Sequence, residues 1–390
     1  MIQMYQLNQE NIKHINKVNI LNILRNNKEM TKHEISEQLN LSIPTVTTNI
    51  NLLMEQDLVE YAGVAESTGG RKPVIIKIKK DSRYSVGVDI TPEKARIILM
   101  NLYSEIVDEI EVDFKKDIKF KYFLDEIMII INECLKVNYV KSERVLGIGF
   151  SLPGIVDEEK LTLTTGPNIG VNDFSFIKFK KESGFDIYIE NEANAAAYGE
   201  LVLGNANNNL VYISITEGVG TGIIINHNIY KSIYKKAGEF GHMRVTNDQL
   251  RCSCGRTGCW ELYTSKRSLL NNYKNLSGYK INSVEELIGK YNQGDEKAKE
   301  VLENYIRYLF IGIENIIMAL DPQYVIIGGE IAKFKNDIKS LIETCNLEDT
   351  SSIDDKKNQV IFSSLEDRGA LLGAALLPFE QLFHFTKNVL

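Results

Sequence analysis

The chain has 390 residues, 44% hydrophobic and 25% charged, enough to bury more than one core in two or three domains. No apolar run approaches the roughly 20 residues needed to span a bilayer, and the start MIQMYQLNQENIKHINK lacks the basic-then-apolar order of a signal peptide. Membrane and secreted classes are set aside, and the cytoplasm is expected. The formal net charge of −7 disfavours nucleic acid for the chain as a whole, but residues 1–80 hold 10 Lys/Arg against 8 Asp/Glu, a balance of +2 that leaves −9 for the rest. DNA contact is therefore expected only at the N-terminal end.

Three helical segments with short connections come first. Val18, Leu21 and Leu24 recur at helical spacing. Thr31 followed by Glu34 reads as a capping box opening a second helix, with Ile35 and Leu39 inward. Ser42 caps a third, whose Val46, Ile50 and Leu53 lie on one stripe. Its other face is expected to present Thr45, Thr48 and Asn49, with Ser42 and Thr47 near the start, as the second helix of a helix-turn-helix does in the major groove. Two extended runs, residues 58–61 and 74–78, flank a loop with Gly69, Gly70, Arg71 and Lys72, a wing with basic residues near its tip. Residues 1–80 thus read as a winged helix-turn-helix that binds DNA. The recognition face has no Arg, so Asn49 is expected to read adenine and threonine methyls to pack on thymine, favouring an A·T-rich operator.

From residue 81 onward, buried strands alternate with amphipathic helices. YSVGVDI, KARIILMNL and EIVDEIEVDF read as successive strands and FKYFLDEIMIIINECLKV as a helix. RVLGIGFSLPGIVD is a strand entering a Pro-Gly turn, and DIYIENEANAAAYGE a strand entering a helix. NLVYISITEGVGTGIIINHNIY repeats the opening, so two related α/β lobes closing over a ligand cleft are expected. His242, Cys252, Cys254 and Cys259 have the spacing H-x9-C-x-C-x4-C. Three thiolates and an imidazole suit tetrahedral Zn²⁺ with no open position, a structural site. Cys134 and Cys345 stand alone in helical patterns. Glu239 and Glu261 flank the ligands, so a metal at 239–261 would hold both as rigid hydrogen-bond acceptors.

GEFGH followed by CSCGRTGCWE, together with NEANAAAYGE, resembles the ROK family of repressors and sugar kinases, from Arg83 to the C-terminus. With STGGRKP and the preceding helices the resemblance covers nearly the whole chain and points to the repressor branch. It implies an actin-like ATPase fold over residues 81–390, one zinc at the cluster, and a homodimer or higher homo-oligomer. It also implies sugar contacts from Asn168, Asn191, Glu192, Glu239, His242 and Glu261, Glu192 standing at the position of the kinases' catalytic base. Family kinases have Asp-x-Gly-Gly-Thr after the first strand and Asn-Asp-x-Asn at the base; here the first reads Asp89, Ile90, Thr91, Pro92, Glu93 and the second Asn191, Glu192, Ala193, Asn194. Proline removes a donor, and Glu93 puts a negative charge where a triphosphate would lie. The extra methylene of Glu192 displaces its carboxylate, and a shift of about 1 Å can cost on the order of a hundredfold in rate. The glycines of TEGVGTG and VIIGGEI are read as architecture. The resulting expectation is a sugar-responsive repressor, released or modulated by a free aldose such as xylose, with no catalytic residues. The alternative is a DNA-binding protein that retains ATP-dependent sugar kinase activity.

Overall fold

In a computed structural model the chain is described over residues 9–64, 73–114, 119–204, 208–344 and 359–386. It divides into two compact units, one of Met1–Phe150, Ser175–Ile189 and Ala374–Leu390, the other of Ser151–Phe174 and Glu190–Gly373.

The first unit opens with α1 (Gln9–Asn27), which buries Val18, Leu21 and Leu24. After β1 (Glu29–Thr31), the Thr31 side chain accepts from the Glu34 backbone and Glu34 accepts from the Thr31 backbone, the reciprocal cap that starts α2 (Lys32–Leu39). Asn40, at φ 50°, ends α2 in the left-handed region that asparagine tolerates. Ser42 caps α3 (Ile43–Glu55), whose Val46, Ile50 and Leu53 are buried. The wing strands β2 (Val59–Val64) and β3 (Val74–Ile78) pair antiparallel, and β1 adds to the free edge of β3.

A five-stranded sheet completes this unit. β4 (Tyr84–Ile90) is buried along its whole length, so both faces are covered, whereas β6 (Ile106–Asp113) alternates between half-buried and exposed positions as an edge strand does. β5 (Lys94–Asn101) lies between them, antiparallel to both. α4 (Phe120–Val137) leads to β7 (Val145–Leu152), from which the chain enters the second unit. There β8 (Ile155–Asp157), β9 (Thr162–Gly166) and β10 (Val171–Ser175) form a small sheet. α5 (Ile177–Ser183) and β11 (Ile187–Asn191) then complete the five-stranded order β11-β7-β4-β5-β6. Residue 80 lies inside the first unit, which holds both the winged helix and the first sheet. The Asn22 amide donates to the Phe383 carbonyl (2.8 Å), and Arg25 donates to Ser104 Oγ (3.0 Å) while lying over the Phe385 ring, so the helical end packs with the sheet.

In the second unit α6 (Glu192–Leu203) precedes β12 (Leu210–Ile215), β13 (Val219–Ile225) and β14 (Asn228–Ile229). Four helices follow, α7 (Glu261–Thr264), α8 (Lys266–Ser277), α9 (Val284–Asn292) and α10 (Glu296–Leu320). β15 (Tyr324–Gly329), α11 (Lys335–Thr344), β16 (Val360–Phe362), α12 (Gly369–Leu376) and α13 (Glu380–Phe383) end the chain, the last returning to the first unit. The sheet order β14-β13-β12-β15-β16 repeats that of the first sheet strand for strand, as the duplicated opening suggested. α10 lays Leu309, Ile313 and Ile316 into the core, where Trp260 is fully buried and donates to the Tyr308 carbonyl (2.7 Å). Gly312 is required there, since a Cβ would lie 2.0 Å from the indole. Among the described residues no helix is long and apolar enough to cross a membrane.

Candidate functional sites

On α3, Ser42 and Thr48 are exposed and Thr45 and Thr47 half-buried. Ser42 Oγ and Thr45 Oγ1 share a 2.8 Å hydrogen bond, and Thr48 donates to the Pro44 carbonyl (3.0 Å). Asn49 departs from expectation. It is 2% exposed, its amide donates to the Thr45 carbonyl (2.8 Å), and its Oδ1 has no hydrogen-bond partner among the described residues. The reason is helical period: Asn49 follows Val46 by three residues and so joins the stripe of Val46, Ile50 and Leu53. A base-reading role for Asn49 is therefore withdrawn. Asn49→Ala is expected to leave discrimination among single-base operator variants unchanged, as measured by fluorescence anisotropy; loss of discrimination at one base pair would restore the role. Arg71 and Lys72 lie outside the described residues, as does Cys345.

In the second unit the ligand atoms of His242, Cys252, Cys254 and Cys259 all lie within 4.8 Å of one another. His242 Nδ1 is 3.4 Å from Cys252 Sγ, and Cys254 Sγ 3.7 Å from Cys259 Sγ. Tetrahedral zinc with Zn–S of about 2.3 Å and Zn–N of about 2.0 Å separates such ligand pairs by about 3.5–3.8 Å, so the cluster has the dimensions of a zinc site. Local sequence builds it. Gly255 (φ 87°) and Gly258 (φ 69°) make the tight turns, and at Gly258 a Cβ would lie 2.2 Å from the Thr246 carbonyl. Trp260, beside Cys259, ties the loop to the core. Burial would raise the Cys254 thiol's pKa, but the Arg256 backbone and neighbouring sulfurs hold it below the usual range, favouring the thiolate a metal needs. Glu261 is buried against the cluster, with Oε1 2.8 Å from Cys252 Sγ and 3.4 Å from His242 Nδ1. The other ring nitrogen, Nε2, faces Glu239 Oε2 at 3.8 Å.

A polar pocket lies wholly within this unit and is lined by Asn191 and Glu239 of the expected sugar set. Asn168 is exposed on the turn Pro167–Ile169; it, Glu192, His242 and Glu261 do not line the pocket. Asn191 is committed locally: its Oδ1 accepts from the Ala193 and Asn194 backbones and its Nδ2 donates to the Gly154 carbonyl (2.8 Å). Glu192 instead accepts from Ser214 at the end of β12 (2.5 Å). Four charged lining residues, Glu158, Glu190, Lys231 and Lys235, escaped the sequence reading. Glu190, with a side chain only 5% exposed, pairs with Lys231 (2.6 Å) and also accepts from the Asn191 backbone and the Asn194 amide. Glu158 binds Lys231 (3.0 Å) and Lys235 (2.8 Å) through one oxygen. Burial alone would lower the pKa of the Lys231 ammonium, but the charges and hydrogen bonds of Glu190 and Glu158 outweigh it, and the net shift is upward. The only signal in the sequence was two lysines four apart in an aromatic loop.

The turn that joins β4 to β5 is a tight hairpin. Thr91 Oγ1 accepts from the backbones of Glu93 (3.4 Å) and Lys94 (3.1 Å), so these donors are turned inward. Asp89 is buried and paired with Arg96 across the β4–β5 ladder at 3.0 Å. In the second unit, a Cβ at Gly222 would lie 2.3 Å from the Ala193 carbonyl, and one at Gly328 1.9 Å from the Tyr212 hydroxyl. Close packing alone accounts for both glycines.

A winged helix-turn-helix joined to a body of two like-ordered sheets, with a polar pocket and a His/Cys3 cluster, defines a winged-helix protein on an actin-like ligand-binding frame. The winged helix-turn-helix DNA-binding model matches residues 14–60 and the ROK family model residues 85–381. The chain belongs to the ROK family. It is 34% identical over 315 residues to the xylose repressor of Bacillus subtilis (strain 168), covering 78% of this chain and 79% of that protein. To the DNA-binding transcriptional dual regulator NagC of Escherichia coli (strain K12) it is 25% identical over 361 residues, 89% and 88% of the two chains. In fold it is similar to the crystal structure of a ROK family transcriptional regulator, a homologue of the E. coli MLC protein, with a TM-score of 0.80 at 22% identity over 96% and 97% of the chains.

Proposed function

We propose that the chain is a sugar-responsive transcriptional repressor that binds operator DNA through α3 and the wing, and whose body binds a free aldose without phosphorylating it. Xylose is the first candidate, because the Bacillus subtilis relative is named a xylose repressor. The observation that carries the non-enzymatic half is the Asp89–Arg96 pair beside the Thr91 turn: the carboxylate is neutralised by a guanidinium and the nearby amides are bonded to a hydroxyl. A phosphoryl-transfer site needs open backbone donors and a carboxylate available for Mg²⁺. Glu192, bonded to Ser214, supports the same reading. Incubation with ATP, Mg²⁺ and a panel of aldoses is expected to yield no sugar-dependent ADP; stoichiometric turnover would establish the kinase alternative instead.

His242, Cys252, Cys254 and Cys259 would hold one Zn²⁺, a structural crosslink fixing Glu239 and Glu261. His242 joins that site to the pocket, one ring nitrogen on each side. Sugar contact by Asn191 and Glu239 is supported by their place in the pocket lining; Asn168, Glu192, His242 and Glu261 are assigned on family resemblance alone. The protein acts as a homodimer or higher homo-oligomer in the cytoplasm, where its operator is. With Asn49 buried, an A·T-rich operator rests on the threonine methyls of α3.

A further inference from the structure

The segment 230–238 is inverted with respect to hydrophobic expectation. Ile233 and Tyr234 are 92% and 80% exposed, while Lys231 and Lys235 turn inward with side chains 25% and 19% exposed. Apolar burial does not hold the middle of this segment down; the lysines do, between ends tied by the Tyr230 N–H to the Ile223 carbonyl (2.7 Å) and by the Thr221 hydroxyl to the Gly238 carbonyl. A turn closed by the Lys235 backbone on the Ser232 carbonyl (3.0 Å), with Ser232 Oγ accepting from the backbones of Lys236 and Ala237, brings both ammonium groups to one Glu158 oxygen. Lys235 adopts φ 54°, a left-handed backbone that a lysine adopts at a cost. The remaining cavity is about 50 Å³, room for a few waters and far below the roughly 300–1,000 Å³ of small-molecule sites.

We propose that residues 230–238 are a strap over the pocket, latched by Lys235 to Glu158, and that a ligand enters only when this pair opens. Lys231 stays with Glu190, because its departure would leave a buried carboxylate unpaired among the Asn191 and Asn194 donors. Lys235 is free to leave: Glu158 keeps Lys231, and the other partner of Lys235, Glu159, is exposed. The closed strap then competes with the ligand, and the apparent affinity is the intrinsic one reduced by the open fraction. The latch stands on the ion pairs; only the identity of the ligand rests on the sugar-binding reading.

The test uses the full-length protein and Lys235→Met, which keeps most of the unbranched side chain and the backbone constraint while removing the charge. In ligand-free protein, hydrogen exchange across 230–238 is expected to speed up about fivefold, the scale of one partly exposed ion pair, with D-xylose binding tighter by a similar factor in calorimetry. Glu158→Gln should accelerate exchange likewise. Unchanged exchange in both variants would overturn the latch, as would weaker xylose binding by Lys235→Met, which would make Lys235 a ligand contact. Faster exchange without binding of xylose or any other aldose by any form would support the latch and overturn the sugar reading.

Discussion

Cys254→Ser is expected to empty the metal site and weaken sugar binding by on the order of tenfold to a hundredfold, the scale of one lost hydrogen bond to a carboxylate, while operator binding without sugar stays within about twofold. Cys254 is the exposed member of the cluster, so its replacement leaves the packing of Cys259 and Trp260 intact and reports on the metal itself. A zinc crosslink confers folding free energy on the residues that hold it. Without it, the loop keeps its Trp260 anchor and the backbone bonds of Val245 to Gly258 and of Trp260 to Met243. It loses the constraint on His242, whose Nε2 faces Glu239 in the pocket wall. The winged helix lies in the other compact unit, so DNA binding should persist. Zinc per chain by atomic absorption, aldose binding by calorimetry and operator binding by anisotropy separate the outcomes. Equal loss of sugar and DNA binding would mean that the metal holds the whole fold, and full sugar binding by zinc-free protein would remove its link to the pocket.

What the sequence disclosed follows from how local each rule is. The capping box at Thr31 and Glu34, the Ser42 cap and the second wing strand are settled within a few residues and lie as read, while the first wing strand, read as 58–61, runs over Val59–Val64. β4 and β12 were legible because a strand covered on both faces is apolar throughout, and the repeated order of the two sheets followed from the repeated opening. The four members of the His/Cys3 cluster fall within one short stretch, so their spacing sufficed to bring them together. Asn49 was misplaced because a stripe at period 3.6 is wide enough to take in both position 49 and position 50, and a polar residue can satisfy its amide on the preceding turn. The ion pairs of the pocket left almost no trace in the sequence: Glu158, Glu190 and Lys231 come from separate segments, and only the fold brings the Lys231 ammonium to 3.0 Å from Glu158 and 2.6 Å from Glu190. Likewise, nothing near residue 80 announces that α1 packs beside Phe383, more than 350 residues later in the chain.

Thr48→Glu is expected to reduce operator affinity by on the order of a hundredfold, because a like charge set against phosphate costs several kcal/mol. Thr48 is exposed on α3, the helix that a winged helix-turn-helix places in the major groove. Its hydroxyl already donates to the Pro44 carbonyl, so it supports no other part of the fold, and glutamate is a better helix former than threonine. The folded state should therefore be unharmed, with an unchanged thermal midpoint and unchanged aldose binding. Thr48→Val keeps the methyl group and loses only the hydroxyl committed to Pro44; its operator affinity should stay within about threefold, since hydroxyl loss at an exposed position costs well under 1 kcal/mol. The two variants together distinguish a charge effect at the groove from a general intolerance of the helix. If Thr48→Glu binds operator as tightly as the parent at the same salt concentration, α3 is not the element that enters the groove, and the contact must be sought on another face of the winged helix.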